Sequence, residues 1–315
     1  MACAGDNLMT EARRTCADLL RRRDRNAKKT LRPLRLGSAA AVLMAALLGQ
    51  AAAEPAPTQL RQETITAFER YARLTDARNN EELRRGAPFL FVDALPTAER
   101  AAAYAALRRG EVKVERRETL DDGRRVKCPR GMIHHWEGIV FVPGVTLEET
   151  LALLQDYDRH AKYYSPDVEQ SKLEWRHGDD FRVFFRFRRH KVITVVLDTE
   201  HEVHYARDTA GRVHSRSSAV RIAQVEDPDA PKEHEKAPGD DGGFLWRMET
   251  WWRMEERDGG VYVQSEVVSL TRDIPAGLGW LIGPFVTSIP RESLTFTLDA
   301  TRKGILARRA GRPSP

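Results

Sequence analysis

Thr271-Arg-Asp-Ile-Pro-Ala-Gly-Leu-Gly-Trp-Leu-Ile-Gly-Pro-Phe-Val286 leaves a strand and enters a helix. The apolar residues Leu278, Leu281, Ile282, Phe285, Val286 and Ile289 recur at i, i+3, i+4, i+7, i+8 and i+11, which is one continuous helical face. A face this apolar, loosened by Gly277, Gly279, Gly283 and Pro284, needs a large hydrophobic surface to cover. The preceding segment supplies one, a strand-rich stretch that carries most of the tryptophans. The pairing points to a chain that encloses an apolar interior rather than one built around a polar centre.

Upstream, residues 1–35 hold ten Lys and Arg, and Leu36 to Ala53 is an uncharged run of Leu, Ala, Val, Met and Gly. Ala51-Ala52-Ala53 satisfies the small-x-small cleavage rule, so residues 1–53 read as a secretory signal peptide and 54–58 as a linker. The alternative is an uncleaved N-terminal membrane anchor, for which the apolar run falls short of the ~20 residues of a spanning helix. Without those 53 residues the chain has 51 − 10 = 41 basic and 46 − 4 = 42 acidic side chains. The sequence pI of 9.2 therefore belongs to the leader and makes no case for nucleic-acid binding. Cys128 is the one cysteine left outside the leader, which excludes an intramolecular disulfide and leaves stability to the core. Export to a bacterial periplasm is the expected location.

Periodicity predicts a helical extension plus a hairpin over residues 59–131. Its parts are a helix from Gln59 to Arg85, an extended Phe89–Val92, a helix from Ala98 to Arg109 ended by Gly110, and a hairpin turning at Asp121-Asp122-Gly123. A main domain over 132–307 follows. It opens with a strand from Ile133 to Val142 and a helix started by the capping box Thr146/Glu149 and stopped by Pro166. Strands are then expected at Arg182–Arg188, Val192–Leu197, His201–Ala206, Val213–Val225, Phe244–Met254 and Val261–Arg272. Glu226–Gly243 is too polar to pack and reads as a mobile hairpin tip. Pro290, with Ser288 as its cap, starts a last helix whose inner stripe is Leu294, Leu298, Thr301 and Ile305, and 308–315 reads as a disordered tail.

Strand, helix, a long antiparallel meander and a long C-terminal helix can bury every apolar face if the sheet curls around that last helix. Leu154-Gln-Asp-Tyr157, Tyr164-Ser-Pro166, Phe244-Leu-Trp-Arg-Met248 and Ser269-Leu-Thr-Arg-Asp-Ile-Pro275 with its following helix carry a family likeness. Through them the chain resembles the START-like (SRPBCC) superfamily, nearest its polyketide cyclase and coenzyme-Q-binding branch. The resemblance covers Ile133 to Leu306 and leaves residues 59–110 outside. It implies an α+β helix-grip fold: a curved antiparallel sheet wrapped around a long C-terminal helix, with an N-terminal helical extension. It also implies a cavity for a lipid, quinone, polyprenoid or polycyclic aromatic.

The residues expected to line that cavity are Phe185 and Phe187, then Trp246, Met248, Trp252 and Met254 on one strand face, and Leu278, Leu281, Ile282 and Phe285 on the helix. Glu266 and Arg272 share a face with Leu270. They either anchor a ligand head group from inside or stand outside as solvated charges. Trp280 lies off the apolar stripe and is the candidate for transient membrane contact, packing against the extension being the alternative. No catalytic or metal constellation stands out: His201 and His204 diverge on a strand, as do His134 and His135, and no CxxC, HExxH or Gly-x-Ser-x-Gly occurs. No cofactor is expected. Binding or carriage of a hydrophobic small molecule is the preferred function. A cyclase-type enzyme using Glu266 with Tyr157 or Tyr164 to move protons, or a docking module built on 59–110, are the alternatives.

Overall fold

The computed structural model describes residues 58–85, 88–190, 193–274 and 279–311, with no side chains for 279–287. The expected leader, most of the linker, and 312–315 of the expected tail lie outside the described residues. Glu54–Pro315 is one compact unit, so the extension and the main domain are not separate bodies.

The N-terminal part runs β1 (Thr58–Gln59), α1 (Gln62–Arg85), a 3-10 turn (Phe91–Ala94), α2 (Thr97–Arg108), β2 (Lys113–Arg116), β3 (Leu120–Asp121) and β4 (Arg124–Arg125). Then come β5 (Gly131–Pro143), α3 (Leu147–Leu154), a 3-10 turn (Tyr157–Arg159), α4 (His160–Tyr163), β6 (Val168–His177), β7 (Asp180–His190), β8 (Thr194–Thr209) and β9 (Arg212–Glu226). The chain closes with β10 (His234–Glu235), β11 (Asp240–Asp241), β12 (Arg247–Arg257), β13 (Gly260–Arg272) and α5 (Gly279–Arg309).

Nine strands make one antiparallel sheet in the order β2-β5-β13-β12-β9-β8-β7-β6, with β10 paired to β9. The first and last strands of the meander, β5 and β13, pair along their whole length from Gly131↔Arg272 to Pro143↔Gly260. That register places α5, which follows β13, over β5. Gly138 permits the contact, because a Cβ there would stand 2.7 Å from Leu298 Cδ1 and 2.9 Å from Val114 Cγ2. Arg302 of α5 donates to the Phe141 carbonyl at 3.1 Å, and Glu292, near the middle of the helix, faces Arg189 of β7 at 3.5 Å. The helix therefore crosses the sheet from β7 to β5. This is the helix-grip architecture that the START-like resemblance implies.

The inner face, toward α5, packs Val140 and Val142 of β5, Val261 and Val263 of β13, Met254, Val213, Val203 and Phe181 against Leu294, Leu298 and Ile305. Alternate residues of the same strands point the other way and are also covered. Ile139, Phe141 and Tyr262 pack with Phe89–Val92 and with Ala103 and Leu107 of α2. Val268, Leu270 and Trp251 pack with Phe68, Tyr71 and Ala72 of α1. The N-terminal helices are thus a third layer on the outer face of the sheet.

Several expectations change. The stretch 112–119 does not pair with 124–127 as one hairpin: β2 joins the main sheet beside β5, leaving two residue pairs between β3 and β4. The helix begun by the observed Thr146/Glu149 capping box ends at Leu154 and gives way to a 3-10 turn and a single α-turn. β6 was not expected at all, and two expected strands are one continuous β8. The stretch 226–243 is not a loose tip. Ion pairs of Arg188 with Asp229, Arg186 with Glu233, Arg221 with Glu235 and Lys236 with Glu226 hold it to the sheet, and β11 pairs with β1. Finally, α5 runs through Ser288 and Pro290 without a cap or a restart and continues to Arg309, past the start of the expected tail.

Candidate functional site: the inner face of the sheet beneath the last helix

Strand pairing arranges the inner face in cross-strand rows, because directly opposed residues share a face. One row is Gly138, Ser265, Trp252, Ser215 and Tyr205. It lies at the level of Leu298, and Ser265 there is fully buried. The next row is Trp136, Val267, Thr250, Ser217 and Val203, and the next runs from His134 and Ser269 to Met248, with His201 and Val183 on the far strands. Toward this end burial is incomplete. Trp136, Phe185, Phe187, Trp252, Val267 and Phe296 are half-buried apolar side chains set against the closed core. Met248 and Thr250 are half-buried as well. One end of the interior is therefore sealed by Leu294, Leu298 and Ile305 of α5, while toward the other the aromatic side chains of the sheet are less completely covered.

A ring of aromatic groups borders this surface. The His160 and Phe185 rings stack at 5.7 Å with planes 16° apart, and Phe185 meets His201 edge-on at 5.3 Å. The Tyr157 and Tyr205 hydroxyls share a hydrogen bond of 3.0 Å, and Tyr164 is bonded to the Thr301 hydroxyl at 3.0 Å. Burial lowers the pKa of His134, His160 and His201 to about 4, so all three rings are neutral at physiological pH. Burial likewise raises Tyr157, Tyr164 and Tyr205 above the ordinary phenol value.

The outer face holds a different chemistry. Glu137 and Glu266 stand opposite each other on β5 and β13. Glu266 accepts hydrogen bonds from Arg78, from Asn79 at 2.8 Å and from His135 Nε2 at 2.5 Å. Since Tyr71 O–H reaches His135 Nδ1 at 2.8 Å and itself accepts from Thr119 N–H at 2.7 Å, the network is consistent with the Nε2–H tautomer of His135. Arg253 donates to Asn79, to Glu82 at 2.7 Å and to the Phe89 carbonyl at 3.0 Å. Although desolvation opposes it, the bond from His135 and the charge of Arg78 hold Glu266 down to about 2. Burial and the neighbouring Glu266 push Glu137 up to about 8, against the pull of Arg117 at 3.2 Å. This network fastens α1 to the sheet.

The predicted site residues therefore divide. Phe185, Phe187, Met248, Trp252 and Met254 lie together on the inner face, Met254 fully buried and the others half-buried. Trp246 does not join them. It precedes β12, so the alternation does not extend to it. Its indole packs on the outer side with Phe68, Trp251 and Leu270 and donates to Asp241 Oδ1 at 2.9 Å. Glu266 is on the outer face, bound to α1, and cannot share an inner cavity with Trp252 or supply a proton there. Arg272 follows the same parity, and its guanidinium donates to the Gly242 carbonyl at 3.4 Å. Leu278, Trp280, Leu281, Ile282 and Phe285 lie outside the residues whose side chains are described. Trp136, Val267, Thr250 and Ser217 were not put forward as lining residues, and His201 was weighed only as a metal ligand. Cross-strand register identifies them, and register is not written in any one strand. Among the described residues no group of His, Cys, Asp or Glu could hold a metal, and no helix is long and apolar enough to cross a membrane.

No protein-family model matches the chain, and no curated protein matches it. Among solved structures it is similar to a STAR-related lipid transfer protein from Xanthomonas axonopodis, at 18% identity and a TM-score of 0.42, covering 62% of this chain and 93% of that one. It is also similar to the TTHA0849 protein of Thermus thermophilus, at 16% identity and a TM-score of 0.40, covering 55% and 97%. A third is the Zhui aromatase/cyclase from Streptomyces sp. R1128, at 14% identity and a TM-score of 0.37, covering 57% and 99%.

Proposed function

We propose that this protein binds a hydrophobic small molecule, such as a lipid, quinone or polyprenoid, between the inner face of the sheet and the first half of α5. One observation carries the reading: the half-buried cluster of Trp136, Phe185, Phe187, Met248, Trp252 and Val267. Large apolar side chains left partly uncovered beside a sealed core lose transfer free energy of about 25 cal/mol per Å² unless something apolar covers them. Aromatic rings with a flexible Met suit guests of more than one shape. In sequence, the stretch from Ile274 to Pro290 that follows β13 has no ionisable residue and is itself rich in Leu, Ile, Phe and Trp. Glu266 is held in the outer network and the hydroxyls of Tyr157 and Tyr164 are bonded to Tyr205 and Thr301, which favours binding or carriage over turnover. Carriage includes transient membrane contact through Trp280, and export to the periplasm through the basic, apolar and small-residue segments of 1–53. N-terminal sequencing of the protein from a cell envelope fraction tests the export.

Purifying the full chain, extracting it with organic solvent and analysing the extract by mass spectrometry tests the binding. A stoichiometric hydrophobic compound is expected. A protein that is empty on isolation, and that takes up no member of a panel of lipids, quinones and polyprenoids, would contradict it.

A further inference from the structure

Charge is divided unevenly along the chain. Residues 58–130 carry 16 basic and 12 acidic side chains, a balance of 16 − 12 = +4, whereas residues 131–315 carry 25 and 29, a balance of 25 − 29 = −4. The N-terminal layer is therefore the basic side of the molecule, the side that attracts anions. An open cleft of about 510 Å³ lies there between α2 and the turn from β12 to β13. Helical spacing builds one wall. Arg100, Tyr104 and Arg108 recur every four residues of α2, so they form a row with steps of about 6 Å along its axis. Arg257 and Asp258 supply the facing wall, and Asp93 of the 3-10 turn lies between the two.

The acceptors of the cleft are engaged. Asp93 accepts from the Tyr104 hydroxyl at 2.5 Å through Oδ1 and from Arg257 at 3.2 Å through Oδ2. Asp258 Oδ2 accepts from the Tyr262 hydroxyl at 2.9 Å. Arg257 also donates to the Tyr104 hydroxyl, and its guanidinium lies 5.2 Å from the centres of both the Tyr104 and the Tyr262 rings. Burial and the bond to Asp93 raise the Tyr104 phenol above its ordinary value, so it adds no negative charge. Donors are left over. Arg100 gives one N–H to the Asp93 carbonyl at 3.1 Å and pairs with no carboxylate among the described residues. Arg108, its side chain 56% exposed, makes no hydrogen bond among the described residues. Its guanidinium stands 3.7 Å from Asp258 and 5.8 Å from the centre of the Tyr104 ring.

Three guanidiniums against two carboxylates leave the cleft positive, and its unused hydrogen-bonding capacity is almost entirely donor. A guanidinium fork matches the oxygens of a phosphate, and bonds in which both partners are charged are the strong ones. A phosphate monoester brings acceptor oxygens and no donor of its own at neutral pH, which is what this lining lacks. We infer that the cleft is a second binding site, for a phosphate monoester group held by the open forks of Arg100 and Arg108. Arg257, fixed by Asp93 and the two tyrosines, contributes charge from the facing wall. The site lies on the outer side of the sheet and stands or falls independently of the hydrophobic site on the inner face.

The full chain is titrated at pH 7.5 and constant ionic strength with inorganic phosphate and phenyl phosphate by calorimetry. Phosphatidic-acid vesicles, followed by cosedimentation, present the same group on a lipid. Saturable binding of at least one probe is expected, weakened at least tenfold in Arg100→Gln/Arg108→Gln. It should be unchanged in Arg124→Gln/Lys127→Gln, which removes the same charge at and just after β4. Binding of the soluble probes assigns a free phosphate compound, and binding of the vesicles alone assigns a membrane lipid. In the unsubstituted chain, the probe that binds should also protect Arg100 and Arg108 from phenylglyoxal, read by mass spectrometry of the peptides. No saturable binding of any probe, an equal loss in the two double variants, or unprotected labelling of both arginines would overturn the inference.

Discussion

Glu137 offers the sharpest test of how the N-terminal layer is fastened. Its carboxylate is buried between Glu115 of β2 and Glu266 of β13, directly opposite both. Gln264 donates to it at 2.7 Å, and Arg117, itself one-third exposed and also facing Glu115, lies at 3.2 Å. Burial and the charge of Glu266 raise its pKa from 4.5 to about 8. A carboxyl with a raised folded pKa keeps a proton that the unfolded chain releases. Its contribution is therefore intact below pH 4.5 and is lost as pH rises through the window up to about 8. The interval is 8 − 4.5 = 3.5 units, an upper bound of ~5 kcal/mol at about 1.4 kcal/mol per unit. Relaxation around a buried charge reduces this to about 2–4 kcal/mol. Glu137→Gln keeps the shape and still accepts from Gln264, but has no proton to lose. Urea unfolding of the full chain and the variant at pH 5, 6, 7 and 8 isolates the term, since every other titrating group is shared. The variant should match or fall slightly below the parent at pH 5 and exceed it by about 2–4 kcal/mol at pH 8. A variant less stable than the parent at pH 8 would mean that Arg117 holds Glu137 ionised, and the reasoning would fail.

Three further outcomes follow from the same contacts. Glu266→Ala strands Arg78, Asn79 and His135 and should cost about 3–5 kcal/mol in denaturant unfolding, while a loss below ~1 kcal/mol would show that water replaces the carboxylate. Gly138→Val drives a side chain into Leu298 and Val114 and should cost about 1–3 kcal/mol by the same assay, an unchanged midpoint being the contrary result. His134, His160 and His201 are held to about 4 in the folded chain, so stability should fall as pH drops from 6.5 toward 4, where the unfolded chain alone takes up protons. Three imidazoles remaining uncharged at pH 5.5 by NMR titration would agree; full protonation there would not.

Much of the sheet is legible in residue order because alternation survives wherever one face is polar. The Arg/Phe alternation of β7 and the Thr146/Glu149 capping box are examples. β6 escaped because it is the terminal strand of the sheet and largely exposed, so its Glu169, Gln170, Lys172 and Glu174 carry no apolar signal. β8 looked like two strands because Asp198 and Glu200 interrupt the apolar run. They remain in the strand because Arg186 and Arg182 on the neighbouring strand neutralise them. The same long-range ion pairing immobilises 226–243, which composition alone describes as loose. Glu266 shows a deeper limit. Alternation assigns residues to two faces but does not say which face is inside. β5 and β13 are apolar at both parities, Val140 and Val142 on one side and Ile139 and Phe141 on the other. That double signal marks a strand covered twice, and it was the available sign that residues 59–110 cover the outer face.

The central claim is that a hydrophobic guest sits on the inner face. Photolabelling tests it most directly. The full chain is irradiated with a diazirine-bearing long-chain alcohol, and the labelled peptides are identified by mass spectrometry. Label confined to the strands carrying Trp136, Phe185, Phe187, Met248 and Trp252 and to the first half of α5, and displaced by unlabelled alcohol, is the predicted result. Displaceable label on α1, α2 or the outer side of β5 and β13 would contradict it.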